Sequence, residues 1–484
     1  MLNITVEDIV KAVGGSLLLG DGKQIIEHIS IDSRSSQGND IFVPIIGEKV
    51  DAHRFIGQAL KTGCVAVLTS EHSNKMHVEE AISKWSEEER KESEGKAWIA
   101  VKDTIEALHE IGRLCRSRIG VPAVGVTGSV GKTTTREMIA TALSAEKRVF
   151  KTGKNYNSSI GLPITLSEMT NDYDIAVLEL GMNVPGELGT IAELADIDVA
   201  VLTNIGVAHI EYFGSQDAIC REKYTITKGF HKKNMENGKT DKKTGMMFLN
   251  GDDPYLMKEK DLTGYPYKIY GTKSYCDYRA EHIRMEDGHY RFDFVFDNHR
   301  IPVTLSVLGD HNVINAAGAL AVADHLGVDV EKAAKALETF TGFQNRLQIF
   351  HTGGYTIIDD TYNASPASMK AGLGVLCGYE ASGRKIAVLG DMFELGTQAD
   401  AYHYEVGVFA ATQKFDELIL IGEHAVHIGT AMKDKMSHIP VTIMDTKEHV
   451  ITYLKSILQE EDVLYLKASN GMKLKEITKA LMEE

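Results

Sequence analysis

Apolar residues along this chain gather into short unbroken runs divided by segments of helical periodicity. Residues 122–126 (PAVGV), 174–181 (DIAVLELG) and 198–204 (DVAVLTN) are nearly continuous in apolar side chains. Strands buried on both faces of a parallel sheet have this pattern. A helical segment follows the first run at 134–145, with Met138, Ile139 and Leu143 as its apolar positions. Past residue 341 the alternation restarts with 385–390 (KIAVLG), 417–422, 441–444 and 463–466, which predicts a second doubly wound unit. Before residue 104 the runs are shorter, as at 40–46 and 64–69, and the Glu/Lys/Ser-rich stretch 86–96 reads as a solvated helix face or loop. The lysine-rich stretch 231–245 interrupts the central pattern and reads as a surface loop. The expected fold is α/β in three domains: a small one over 1–104, a mostly parallel sheet flanked by helices over 105–341, and a Rossmann-like unit over 342–484.

Length supports that division, because 484 residues exceed what one core organises. A net charge of −16 argues against nucleic acid as a partner, so any phosphate-bearing substrate must be met by local basic residues. The five cysteines (Cys64, Cys115, Cys220, Cys276, Cys377) are odd in number and in no metal spacing, which predicts reduced thiols and a cytoplasmic protein. The N-terminal residues lack a basic, then long apolar, arrangement, and no segment is apolar enough to span a bilayer. Neither a signal peptide nor a membrane span is expected.

The richest chemistry follows the run 122–126. Thr127, Gly128, Ser129, Val130, Gly131, Lys132, Thr133 and Thr134 form a glycine turn between a strand and a helix. Such a turn aims backbone N–H groups and a helix N-terminus at phosphate oxygens; Lys132 adds a mobile charge, and the Thr133 hydroxyl suits Mg²⁺. The full phosphate-loop pattern would have Gly where Val126 stands. Glu179 and His209 close or follow predicted strands, where ligands of open parallel sheets gather. Glu179 is a Mg²⁺ ligand or half of a salt bridge; His209 is a functional group or a satisfied structural one. Residues 155–163 (NYNSSIGLP) are a polar turn that reaches a substrate or merely caps a loop. Lys223 lies on a helix entered through Gly214 and Ser215, where a solvated charge is the plain reading.

Taken in order, these segments resemble the Mur ligases over nearly the whole chain. The resemblance rests on Asp32-Ser33-Arg34, 38–42 and Asp51-Ala52-His53 near the N-terminus, and on TGSVGKTTT, NYNSSIGLP, LELGMNVPGELG and TNIGVAHIEYFGS in the centre. It continues through Gly309 to Ala317, Asn345-Arg346, Asp359 to Pro366, Leu389 to Gly396 and His403. Within the family, the branch that adds D-alanyl-D-alanine to UDP-MurNAc-tripeptide fits best, because the Asp-Asn-Pro-Arg motif of the diaminopimelate-adding branch is not found.

The resemblance implies an ATP-dependent ligase acting in peptidoglycan synthesis through an acyl phosphate, with ATP and two Mg²⁺ ions. Lys132 would hold the β- and γ-phosphates, and Thr133 with Glu179 one Mg²⁺. His209 would bind the second together with Lys223, which in the family carries a CO₂-derived carbamate. Asn315, Arg346 and Asp360 would approach the nucleotide; Ser33, Arg34 and Asn157 would contact the UDP-linked acceptor. The C-terminal domain would receive D-Ala-D-Ala, and a monomer is expected. Four positions depart from the family pattern: Thr225 stands for Glu, Ala468 and Asn470 for the Gly and Arg of Lys-Gly-Ser-Arg, and Ala52 for Gly. Two alternatives stand beside this reading: a family ligase with another acceptor, and a non-catalytic nucleotide-binding paralogue.

Overall fold

The computed structural model describes all residues except 2, 48, 154, 231–244 and 484. The surface loop expected at 231–245 thus lies, apart from Gly245, outside the described residues. Among the described residues three large sheets carry the fold, of five, nine and six strands in chain order. A two-stranded pairing of Ile4–Thr5 with Ile25–Ile26 adjoins the first.

The nine-stranded sheet places the site. Strand Ala123–Thr127 lies third from one edge, between Ile175–Glu179 and Val199–Leu202, and pairs in parallel with both. Alternate side chains serve two cores. Val124, Val126, Val177 and Val201 pack with Met138, Ile139 and Leu143 on one face, while Ala123, Leu178 and Leu202 pack with Leu188 and Ile191 on the other. Two buried faces account for the unbroken apolar runs, each buried Val or Leu contributing about 1.5–3 kcal/mol. Successive crossovers leave from opposite sides of Ala123–Thr127, so a crevice opens beyond its carboxyl end. The register sets Glu179 beside Val126 and Leu202 beside Thr127 at that rim.

Beyond Tyr267–Gly271 the sheet departs from a parallel pattern. Tyr278–Glu286, His289–Phe296 and His299–Leu305 form an antiparallel extension, whose outer strands alternate buried and solvated positions. One solvated face permits hairpin pairing there. The six-stranded sheet is parallel apart from its edge hairpin, where Gln348–Thr352 pairs antiparallel with Tyr355–Asp359. The charged stretch after residue 86 forms helix Glu87–Ser93, begun by a reciprocal cap between Ser86 and Glu89.

Candidate active site

The turn after Ala123–Thr127 is shaped by its neighbour strand. Asn204 accepts from the Ser129 N–H through its carbonyl at 2.9 Å and from the Val130 N–H through Oδ1 at 2.9 Å. Asn204 Nδ2 and the Thr203 hydroxyl both donate to the Val130 carbonyl, at 2.8 and 2.7 Å. Glycine is required at 128, since a Cβ there would stand 1.8 Å from Thr203 Oγ1. Gly131 takes a left-handed conformation (φ 83°) and opens helix Lys132–Leu143. The Ser129 and Thr135 hydroxyl oxygens are buried without partners among the described residues.

Side chains converge on this turn from four directions. The Lys132 ammonium folds back onto the Gly128 carbonyl at 2.8 Å. Burial lowers its pKa, Glu179 opposes that shift, and Arg346 adds to it. Glu179 is 4% exposed. Its Oε1 accepts from Asn157 Nδ2 at 2.8 Å, and its Oε2 lies 3.3 Å from Arg136 Nη1. Arg346 arrives from the segment leading into the third sheet, donates to the Thr133 hydroxyl at 3.1 Å and stacks 4.0 Å over the Tyr362 ring. Asn315, 7% exposed, donates to Asn312 and sits within van der Waals reach of position 131.

Lys223 belongs to helix Gln216–Tyr224, capped by Ser215, and points inward at 2% exposure. Its amine makes no hydrogen bond or ion pair with any described residue. Burial holds its pKa well below the ordinary lysine value, with Lys132 adding repulsion. The solvated charge read from sequence is thus corrected: the helix turns this residue into the protein because Ile219, Cys220 and Tyr224 share its buried side.

His209 caps the short helix Ile210–Phe213 in a left-handed conformation (φ 62°), an uncommon one for a side-chain-bearing residue. Its Nδ1 stands 2.6 Å from Glu394 Oε2, and this contact holds the Glu394 carboxyl below its usual range. Glu394 belongs to the loop that also brings Gly396 against Glu211, so the third unit touches the central one beside His209.

Other candidates have contacts of their own. Asp360 pairs with Lys467 Nζ at 2.5 Å and accepts from the Tyr465 hydroxyl at 3.1 Å, and it also bears electrostatically on His311. Ser33 donates to Gln58, while Arg34 forms a two-bond fork with Asp32 at 2.8 and 2.7 Å. Asn157, which the resemblance groups with Ser33 and Arg34, lies at the central site with its Nδ2 on Glu179. The departures are accommodated locally. The Thr225 hydroxyl donates to the Glu222 carbonyl, and buried Ala468 faces glycine at 390, where a Cβ would come within 2.8 Å of its own.

Three family models match in sequence: the Mur ligase catalytic domain over 25–115, the Mur ligase middle domain over 126–323 and the Mur ligase glutamate ligase domain over 345–470. The UDP-N-acetylmuramoyl-tripeptide–D-alanyl-D-alanine ligase of Bacillus subtilis is 35% identical, over 100% of this chain and 99% of that one. The chain belongs to the Mur ligase family. Other relatives agree: the Haemophilus influenzae ligase of the same name is 30% identical over 96% of both chains. Among solved Mur ligases, MurF from Acinetobacter baumannii superposes with a TM-score of 0.84 at 26% identity over 99% of both chains. MurF ligase from Thermotoga maritima, solved in complex with ADP, gives 0.79 at 26% identity over 95% of this chain and 97% of that one.

Arg136, one helical turn from Lys132, is 1% exposed and joins the site without a sequence motif of its own. The spacing of four from Lys132 was the available signal. His403, which matches a family motif, is a structural group here. Its Nδ1 bonds the Ala399 carbonyl at 2.7 Å, its Nε2 accepts from the Met392 N–H at 2.9 Å, and burial lowers its pKa. Burial lowers His311 likewise. The unfolded chain therefore takes up these protons first. Stability is full above the ordinary histidine pKa of about 6.5 and falls below it, by up to about 1.4 kcal/mol per pH unit for one such group. Tm should drop from about pH 7.5 to about pH 5.5, with a shallower slope in His403→Gln. A Tm unchanged by pH in that interval, or an unaltered slope in the variant, contradicts this.

Proposed function

We infer that this Mur ligase is a UDP-N-acetylmuramoyl-tripeptide–D-alanyl-D-alanine ligase, joining D-Ala-D-Ala to UDP-MurNAc-tripeptide at the expense of ATP in peptidoglycan precursor synthesis. The end-to-end match to ligases of that name carries the reading, and the intact phosphate turn supports it. A carboxylate resists attack by an amine, so its oxygen must first be made a leaving group. Attack of the acceptor carboxylate on the γ-phosphorus gives an acyl phosphate and ADP; the dipeptide amine then adds to the acyl carbon and phosphate departs.

The residues divide this work. Lys132 and the turn's N–H groups hold the phosphates, with Asn315 and Arg346 beside them; Asp360 serves the nucleotide from the third unit. Thr133 and Glu179 present the hard oxygen donors that suit Mg²⁺. His209 and Lys223 would hold a second Mg²⁺, Lys223 as a carbamate. Its buried, unpartnered amine is the form that captures CO₂, and carbamylation would replace a costly buried cation with an anionic oxygen ligand. Bound Mg²⁺ would neutralise charge as the phosphoryl group moves.

Ser33 and Arg34 would hold the uridine end of the acceptor and Asn157 its reacting end. Segments 1–104, 105–341 and 342–484 then act as acceptor-, ATP- and dipeptide-binding units. Contacts such as His209 with Glu394 let those units exclude water from the acyl phosphate. One copy of the chain supplies every group named, so we propose a monomer. We place it in the cytoplasm, where ATP is available; among the described residues no helix is long and apolar enough to cross a membrane.

Phosphate release tests this reading. With ATP, Mg²⁺ and UDP-MurNAc-tripeptide present, release should be slow until D-Ala-D-Ala is added, and single amino acids should not replace the dipeptide. Release indifferent to the dipeptide, or stimulated equally by one amino acid, contradicts it.

A further inference from the structure

Arg136 sits at the centre of a buried chain of charges. Its Nη1 faces Glu179 Oε2 at 3.3 Å and its Nη2 bonds Glu137 Oε1. The other Glu137 oxygen receives Lys151 Nζ at 2.5 Å, and the second Glu179 oxygen receives Asn157. Arg136 Nε has no partner, and the guanidinium lies 6.0 Å from the Phe343 ring. Buried carboxylates hold this cation in place, and it in turn fixes the orientation of Glu179.

Charge balance at the turn gives this contact a consequence. A divalent cation approaching Thr133 and Glu179 in the absence of nucleotide meets Lys132, Arg136 and Arg346, while Glu179 is already matched by Arg136 and Glu137 by Lys151. Cation affinity at such a site is set by net local charge, and the interaction is strong because the surroundings are buried. The phosphates of a nucleotide supply the negative charge that reverses the balance. We propose that Arg136 is a positioning residue that keeps Glu179 from loading a divalent cation before the nucleotide arrives, so that cation and nucleotide enter the site together. This rests on Thr133 and Glu179 being the cation's ligands.

Retention of Mn²⁺ by the full-length protein on ultrafiltration, with and without ADP, tests it. Without ADP, Arg136→Met should retain Mn²⁺ at least about tenfold more tightly than the wild type. Arg136→Lys, which restores the charge, should return to wild-type behaviour; with ADP all three should retain Mn²⁺. Should the single variant fail to fold, Arg136→Gln, which removes the charge but keeps a polar amide for Glu137 to bond, should show the same gain. Mn²⁺ retention without ADP that is equal in wild type and variant overturns the role of Arg136 while leaving the ligand assignment intact. Failure to retain Mn²⁺ even with ADP overturns both.

Discussion

Replacing Lys132 with alanine is expected to lower kcat/KM for ATP by about 10²- to 10⁴-fold while leaving the fold intact. The ammonium is already held on the Gly128 carbonyl at 2.8 Å, at the mouth of the turn where phosphate oxygens would lie. Little reorganisation is then needed when charge builds on the γ-phosphoryl group, which is what makes a fixed cation effective in a buried site. Stability should change little, because among the described residues the ammonium bonds only backbone carbonyls of its own turn. Steady-state kinetics and thermal unfolding of the same preparation separate the two effects. Near-normal turnover would contradict the assignment of this turn to ATP.

Lys223→Ala is the second large effect, with a loss of about 10²- to 10⁴-fold expected because a carbamate ligand contributes several kcal/mol through the cation it holds. The structure supplies the reason to expect modification. An unpartnered ammonium at 2% exposure, beside the charge of Lys132, is disfavoured, and burial lowers the lysine pKa in favour of the free amine. Isotopically labelled bicarbonate should give a carbamate carbon resonance in the wild type and none in Lys223→Ala. Lys223→Arg should be as inactive as the alanine variant, since a guanidinium keeps its charge and cannot capture CO₂. A wild-type protein without the resonance, or a fully active arginine variant, contradicts the role.

The phosphate turn and Glu179 were legible in the sequence because both lie at the ends of continuous apolar strands, where local pattern alone places a residue at the sheet rim. Lys223 was not, since a lysine on a polar helix has the same local pattern whether it faces water or the interior. Its direction is decided by Ile219, Cys220 and Tyr224 packing into the central core. Arg136 escaped notice for the same reason: Glu179 and Phe343, distant in sequence, bury it. Contacts between separate units, such as His209 with Glu394 and Arg346 with Thr133, have no local signature at all. The antiparallel extension after residue 278 was missed because strand direction follows from pairing rather than composition.

The central claim is that the site turns a carboxylate into an acyl phosphate. Acceptor carrying heavy oxygen in its terminal carboxylate tests it most directly, by mass analysis of the phosphate released as D-Ala-D-Ala is joined. Transfer of one labelled oxygen from each acceptor to phosphate is the predicted result, because the attacking carboxylate oxygen leaves with the phosphoryl group. Phosphate free of label, formed alongside ligated product, would contradict it.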